Sequence, residues 1–151
     1  MVDDHPQRLR LLSYNIQSGL STRTYSQYLT RSWKHVVPVP SRMANLDGIA
    51  RVLKGYDIVA LQEVDAGSLR SGFVNQAKYL ADYAGFAHVF GQSNRKIGVI
   101  SQHCNAMLSR IAPDAITEHK LPGLIPGRGV LEVRFGNGPD ALHVLILHMA
   151  L

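Results

Sequence analysis

A single cysteine, Cys104, stands in the 151 residues. It has no partner in the chain, so no intrachain disulfide staples the fold, and a disulfide-dependent secreted scaffold gains no support. A lone thiol is more simply an incidental buried group than a nucleophile. Long apolar runs are also lacking. The longest, near Leu142 to Leu151, is short and interrupted by His143 and His148, so no integral membrane segment is expected. Met1 to Arg10 carries Asp3 and Asp4 and no apolar core of the signal-peptide kind. Repeats, low-complexity tracts and clear linkers are absent too. Charged residues make up only 18% of the chain against 46% apolar ones, a balance that excludes a disordered protein and suits a soluble globular one. The length suffices for one domain with a sizeable core. The expectation is a soluble, cytoplasmic protein.

Acidic residues are outnumbered by basic ones, 11 to 16, giving a net charge of +5. That favours an anionic partner such as a phosphate ester, nucleic acid or anionic membrane surface, although many ordinary proteins carry as much.

What is present is a set of apolar strands that end in polar groups. Asp57-Ile58-Val59-Ala60-Leu61-Gln62-Glu63 has an unbroken apolar run closed by Gln-Glu. Such a run reads as a strand buried on both faces. Its end carries a carboxylate, which implies access to water, a cation or a metal. Leu9 to Ile16 is strand-like and delivers Asn15, and Leu142 to His148 delivers His148. An amide, a carboxylate and an imidazole at the ends of three strands is one way an α/β protein builds a binding crevice.

Two amphipathic helices are expected. Ser41 to Tyr56 places Met43, Leu46, Ile49, Ala50 and Leu53 on one face, with Ser41 as cap and Gly55 as stop. Val74 to Ala84 places Val74, Ala77, Leu80, Ala81 and Ala84 together before Gly85. Further strands are read at Phe86 to Phe90, Ala106 to Arg110, Ile116 to Lys120, Val130 to Phe135 and Leu142 to His148, with Asn137-Gly138 as a hairpin turn. Strand, helix, strand, helix and then several strands describes an α/β (α+β) protein. Ser18 to Pro40 interleaves basic residues with Tyr25, Tyr28 and Trp33. It either contacts nucleic acid or lipid headgroups or packs down as an ordinary loop.

Leu12-Ser13-Tyr14-Asn15-Ile16, Val59-Ala60-Leu61-Gln62-Glu63-Val64, Asn105-Ala106-Met107-Leu108-Ser109-Arg110 and His148 stand in the order and spacing of the endonuclease/exonuclease/phosphatase superfamily, which the chain resembles from Leu9 onward. The resemblance implies a deoxyribonuclease I-like four-layer α/β/β/α sandwich. It is present here as an incomplete N-terminal part over residues 9–151, behind a disordered tail at 1–8. It also implies a role for each matched residue. Glu63 is the ligand of a catalytic Mg²⁺ (or Mn²⁺). Asn15 lies beside the metal and helps hold the site. His148 contacts the scissile phosphate and assists proton transfer or charge stabilisation. Arg128, between Gly127 and Gly129, pairs with phosphate, and Asn105 is substrate-binding, although Cys104 stands where the family usually has glycine. Taken singly, Glu63 is also an ordinary solvated carboxylate, Asn15 a turn residue, His148 a core histidine and Arg128 a surface arginine. His143 has the opposite strand parity to His148 and reads as structural. Asp65, Arg70 and Gln76 read as site periphery or loop structure.

Two family motifs, Gly-Asp-x-Asn and a terminal Ser-Asp-His, do not follow. Family domains run about 100 residues further, a size ordinary for one α/β domain. The expected activity is metal-dependent hydrolysis of a phosphate ester (nucleic acid, phospholipid or small phosphodiester), weak or absent until a missing C-terminal half-domain joins it. The competing class is a non-catalytic module that holds nucleic acid or anionic lipid through Arg128, Arg110 and the basic 18–40 segment.

Overall fold

A computed structural model describes residues 8–17, 40–68, 71, 73–97, 101–122 and 129–147. Among these residues nine elements follow one another: β1 (Leu11–Asn15), α1 (Pro40–Leu53), β2 (Ile58–Asp65), α2 (Gln76–Ala84), β3 (His88–Ile97), β4 (Ser101–Ser109), β5 (Ala115–Lys120), β6 (Gly129–Phe135) and β7 (Leu142–Leu147). The strands form two sheets, one ordered β1-β2-β4-β3 and the other β5-β6-β7. β1 and β2 pair in parallel, an arrangement that needs a crossover connection such as the one containing α1. All the other pairs are antiparallel.

β2 explains the layering. Its alternate residues Val59 and Leu61 pack with Leu46, Ile49, Ala50 and Leu53 of α1 and with Ala77, Leu80, Ala81 and Ala84 of α2. Ile58 and Ala60 on the opposite face meet Met107 and, from the second sheet, Leu131, Val133, Phe135 and Ile146. The uninterrupted apolar run in the sequence is therefore a strand buried on both faces. Helices, first sheet and second sheet form three layers, an α/β fold with two stacked sheets. Leu131, Val133 and Phe135 point inward, while Glu132 and Arg134 point out. On that outer face Glu132 accepts from His143 Nδ1 at 2.8 Å and pairs with His119 Nε2 at 2.5 Å. The hydrogen bonds from His143 and His119 hold its carboxyl below the ordinary glutamate range. Among the described residues no helix covers this face.

Element ends depart from the sequence reading in instructive ways. α1 begins at Pro40, one residue before the expected cap Ser41. Proline is pre-shaped for a first helical turn, where its missing N–H costs nothing. α2 is capped by Asn75, whose side chain accepts from Lys78 N at 3.0 Å. It stops at Gly85, which takes the left-handed φ of 77° that glycine tolerates best. The Asn137-Gly138 signal does mark a hairpin, but the loop spans residues 136–141 rather than two residues. Asp114 pins it by accepting from Gly136 N at 2.6 Å.

Arg110 is a structural clasp. Its guanidinium donates to Tyr56 O (3.1 Å), Lys54 O (3.3 Å), Ala84 O (3.0 Å) and Gly85 O (2.7 Å). It also lies 4.5 Å over the Phe86 ring. These carbonyls belong to the C-terminal ends of both helices, where unpaired acceptors and the negative end of the helix dipole want a cation. Four of the five Arg110 donors thus serve the fold, which gives this arginine a structural role that the sequence reading did not assign.

Candidate active site

The site is made by an irregularity in β2. Leu61 pairs with Ala106 and Val64 with Cys104, so Gln62 and Glu63 together oppose the single residue Asn105. This is a β-bulge. Strict alternation would place Glu63 on the face of Val59 and Leu61, against the helices. The extra residue resets the alternation, so Val64 returns to the helix-side core and Glu63 turns away from it. Glu63 takes φ 55° to do so, a left-handed conformation that costs a non-glycine residue about 1–2 kcal/mol. The sequence reading ended β2 at Glu63. In fact the strand continues to Asp65, and the bulge, not a strand end, brings the half-buried carboxylate into reach.

β1 holds that carboxylate in place. In the parallel ladder Asn15 stands beside Gln62. Asn15 Nδ2 donates to Glu63 Oε1 at 3.0 Å. Its Oδ1 accepts from Gln17 N at 3.0 Å, which fixes the amide's orientation. Gln62 Nε2 donates to Ser13 Oγ at 3.1 Å, and Ile16 N to Gln62 O at 3.1 Å. The end of β1 is therefore laced to the bulge. Beside it, an open cleft of about 470 Å³ separates β1 and β2 from β7; Ser13, Ala60 and Gln62 line one wall, Val144 and Ile146 the other.

Asn105, across from the bulge, is 1% exposed, and neither atom of its amide has a hydrogen-bond partner. An unpaired buried amide costs about 1–3 kcal/mol, so its retention asks for a reason. Cys104 next to it does not disturb the strand. Its side chain packs in the helix-side core and donates to Val64 O at 3.4 Å. Burial, and then the charge of Asp65, push the thiol up to about 11, so it is inert as a nucleophile.

Asp65 was legible only as periphery, yet it organises the segment after the bulge. It is fully buried and accepts from Gly67 N (3.0 Å), Ser68 N (2.8 Å), Ser68 Oγ (2.6 Å) and Ser71 Oγ (3.0 Å). Its own N–H donates to the buried Gln76 Oε1 at 3.0 Å. Burial raises its pKa, but the hydrogen bonds outweigh burial and leave the carboxyl below its usual range. Asp followed by Gly and Ser at two and three positions is the signal that marks this turn in the sequence.

Of the five site candidates, Asn15, Glu63 and Asn105 converge on the bulge. Arg128 and His148 lie outside the described residues, as do Arg70 and most of the 18–40 segment. Among the described residues no three His, Cys, Asp or Glu side chains are grouped to hold a metal. A single oriented carboxylate still fits Mg²⁺, which takes one or two protein carboxylates and keeps its waters.

The model of the Endonuclease/Exonuclease/phosphatase family matches residues 12–146. The chain belongs to that family. No curated protein matches it. Among solved structures, a family protein from Leptotrichia buccalis shares 16% identity at a TM-score of 0.63, over 95% of this chain and 56% of that one. A truncated Caenorhabditis elegans TDP2 shares 18% at 0.58, over 95% and 47%. ANGEL2, described as a 2′,3′-cyclic phosphatase in complex with adenosine-2′,3′-vanadate, shares 15% at 0.60, over 94% and 41%. At these identities the likeness shows the fold. This family member spans about half the length of the structures it matches. No helix among its described residues is long and apolar enough to cross a membrane.

Proposed function

We propose that this chain carries the metal-holding part of a divalent-metal-dependent phosphate-ester hydrolase, acting on a nucleic acid, phospholipid or small phosphodiester. One observation supports this most: the bulge turns Glu63 out of the helix-side core, and Asn15 grips one of its oxygens at 3.0 Å. Glu63 offers carboxylate oxygen to Mg²⁺ or Mn²⁺. Once bound, such a cation neutralises phosphoryl charge and stabilises the leaving oxygen. Asn15 keeps the carboxylate from rotating and adds no charge of its own. Arg128 pairs with a non-bridging phosphate oxygen through its planar fork. Asn105 keeps the substrate-side role that the family pattern gives it, although its amide lies buried opposite the bulge, and His148 donates to a phosphoryl oxygen. The family match and the phosphatase named among structures of this fold support the phosphate-ester class.

The competing non-catalytic, anion-holding module is weakened at Arg110, four of whose five donors are engaged by helix carbonyls. The deciding measurement is Mn²⁺ titration followed by paramagnetic broadening of backbone amide signals. Broadening centred on residues 15 and 62–64, and lost in Glu63→Gln, is the expected result. Broadening that survives Glu63→Gln, or centres elsewhere, overturns the assignment. Turnover of a nitrophenyl phosphodiester, lost on chelation, is the functional counterpart.

A further inference from the structure

Phe73 combines two properties that a folded chain seldom gives one residue. It is 67% exposed, more than any other large apolar side chain among the described residues. Its backbone also holds a left-handed φ of 63°, an outlier for a bulky residue. One exposed apolar side chain is ordinary by itself. Strain of this kind, however, persists only where the surrounding structure imposes it, and here burial of the ring does not offset it. The conformation is imposed from beneath. Phe73 N donates to Ser68 O at 2.8 Å. Ser68 is buried and bonds through N and Oγ to the fully buried Asp65, as Ser71 does through Oγ. Asn75, two residues on, bridges to Ala66 and caps α2. The ring therefore stands outward on a buried, hydrogen-bonded base.

Its place in the fold gives the ring a use. β1 and β2 run parallel, and ligands of α/β proteins gather beyond the carboxyl ends of parallel strands. Among the described residues, those other than glycine with positive φ are Gln17, Glu63 and Phe73. Gln17 lies just past the end of β1, Glu63 in the bulge of β2, and Phe73 in the connection that leaves β2 for α2. Asn15 bonds to both Gln17 and Glu63. The strained residues are thus gathered at one end of these strands, as they are at sites that bind or react. Contacts limit the separation as well. Asp65 is two residues from Glu63, about 7 Å at most. The Asp65 carboxylate bonds to Ser68, and Ser68 O to Phe73.

Chemistry decides what such a ring holds. Phosphate oxygens gain nothing from an apolar face, whereas every nucleobase has a flat π-face that stacks on one. An acyl chain binds in proportion to the apolar area it covers, and one ring offers little. The net charge of +5 suits a nucleic acid strand too. We propose that Phe73 is a stacking platform for a nucleobase flanking the phosphodiester held at Glu63, which makes the substrate a single-stranded nucleic acid. The inference rests on the phosphate-ester assignment above and names its substrate class.

Two phosphorothioate-linked oligonucleotides of equal length, one of thymidine and one abasic, are the probes, titrated into the 151-residue chain with Mg²⁺ present. The wild type binds the thymidine strand about tenfold more tightly, the worth of one aromatic–base stack. Phe73→Ala removes that preference and leaves abasic binding within about twofold. Phe73→Trp keeps it. Phe73→Gly removes it while unfolding at higher urea than Phe73→Ala, which ties the loss to the ring and not to the backbone. Equal affinity of the wild type for the two strands, or a preference that survives in Phe73→Ala, overturns the proposal. So does a wild type that binds neither strand. Failure of Mn²⁺ to bind at Glu63 is a separate result, since it sinks the hydrolase assignment whichever strand binds better.

Discussion

Asn15 and Glu63 lie 48 residues apart in the chain, and a 3.0 Å hydrogen bond joins them. Two features of the fold make it. Parallel pairing sets the end of β1 beside Gln62, and the bulge turns the next residue toward the same side. Neither element alone presents an oriented carboxylate.

Removing the Asn15 donor takes away one hydrogen bond that orients Glu63. Asn15→Ala is expected to lower Mg²⁺ or Mn²⁺ affinity about tenfold and to cost about 1 kcal/mol of stability, the net worth of one hydrogen bond. Metal titration and urea unfolding check the two numbers. An unchanged metal midpoint would remove Asn15 from the site.

Glu63 holds a left-handed backbone that glycine adopts freely. Glu63→Gly is therefore expected to be about 1 kcal/mol more stable than Glu63→Ala, the reverse of the order in an ordinary strand. Both variants are expected to lose the proposed cation, which metal titration checks. Equal stabilities in chemical denaturation would argue against the bulge.

How much of this could be read from residues alone depends on periodicity. β2 was legible because burial on both faces writes a continuous apolar run, Ile58 to Leu61. β6 was legible because burial on one face writes alternation. The two helices were legible from their apolar stripes, and Gly85 from the need for a positive φ. The bulge was not, because Gln62-Glu63-Val64 carries no glycine to announce a left-handed residue. The hydrogen bond from Gln92 Nε2 to Val130 O was not legible either, since it joins different sheets and leaves no local pattern. Asn15 and Glu63 stood out through the family resemblance and through their polar character after apolar runs. What they bond to is set by strand register, a long-range property.

Arg110 offers a test of the fold independent of the site. Arg110→Ala uncovers carbonyls at the ends of both helices and is expected to cost about 2 kcal/mol. Arg110→Lys recovers little, because a compact ammonium cannot span acceptors that a planar guanidinium reaches at once. Thermal unfolding ranks the three proteins, and a lysine variant as stable as the wild type would contradict the clasp.

Asp65 gives the pH dependence a definite sign. Its carboxyl lies below its ordinary value in the folded protein, because the hydrogen bonds from Ser68, Gly67 and Ser71 outweigh burial. The native state therefore binds this proton less readily than the unfolded chain does. Its contribution is fully present above the unfolded value of about 3.9 and is lost as pH falls through the lower folded value. Asp65→Asn keeps the shape but turns one acceptor into a donor that faces N–H and O–H groups. It is expected to cost about 1–3 kcal/mol at pH 7. That deficit should shrink steadily once the pH drops below about 4, where wild-type Asp65 begins to take up its proton on unfolding. Urea unfolding of both proteins between neutral and strongly acidic pH tests this. A stability gap that stays constant across the acid range would mean that the carboxylate is not what holds Gly67, Ser68 and Ser71 in place.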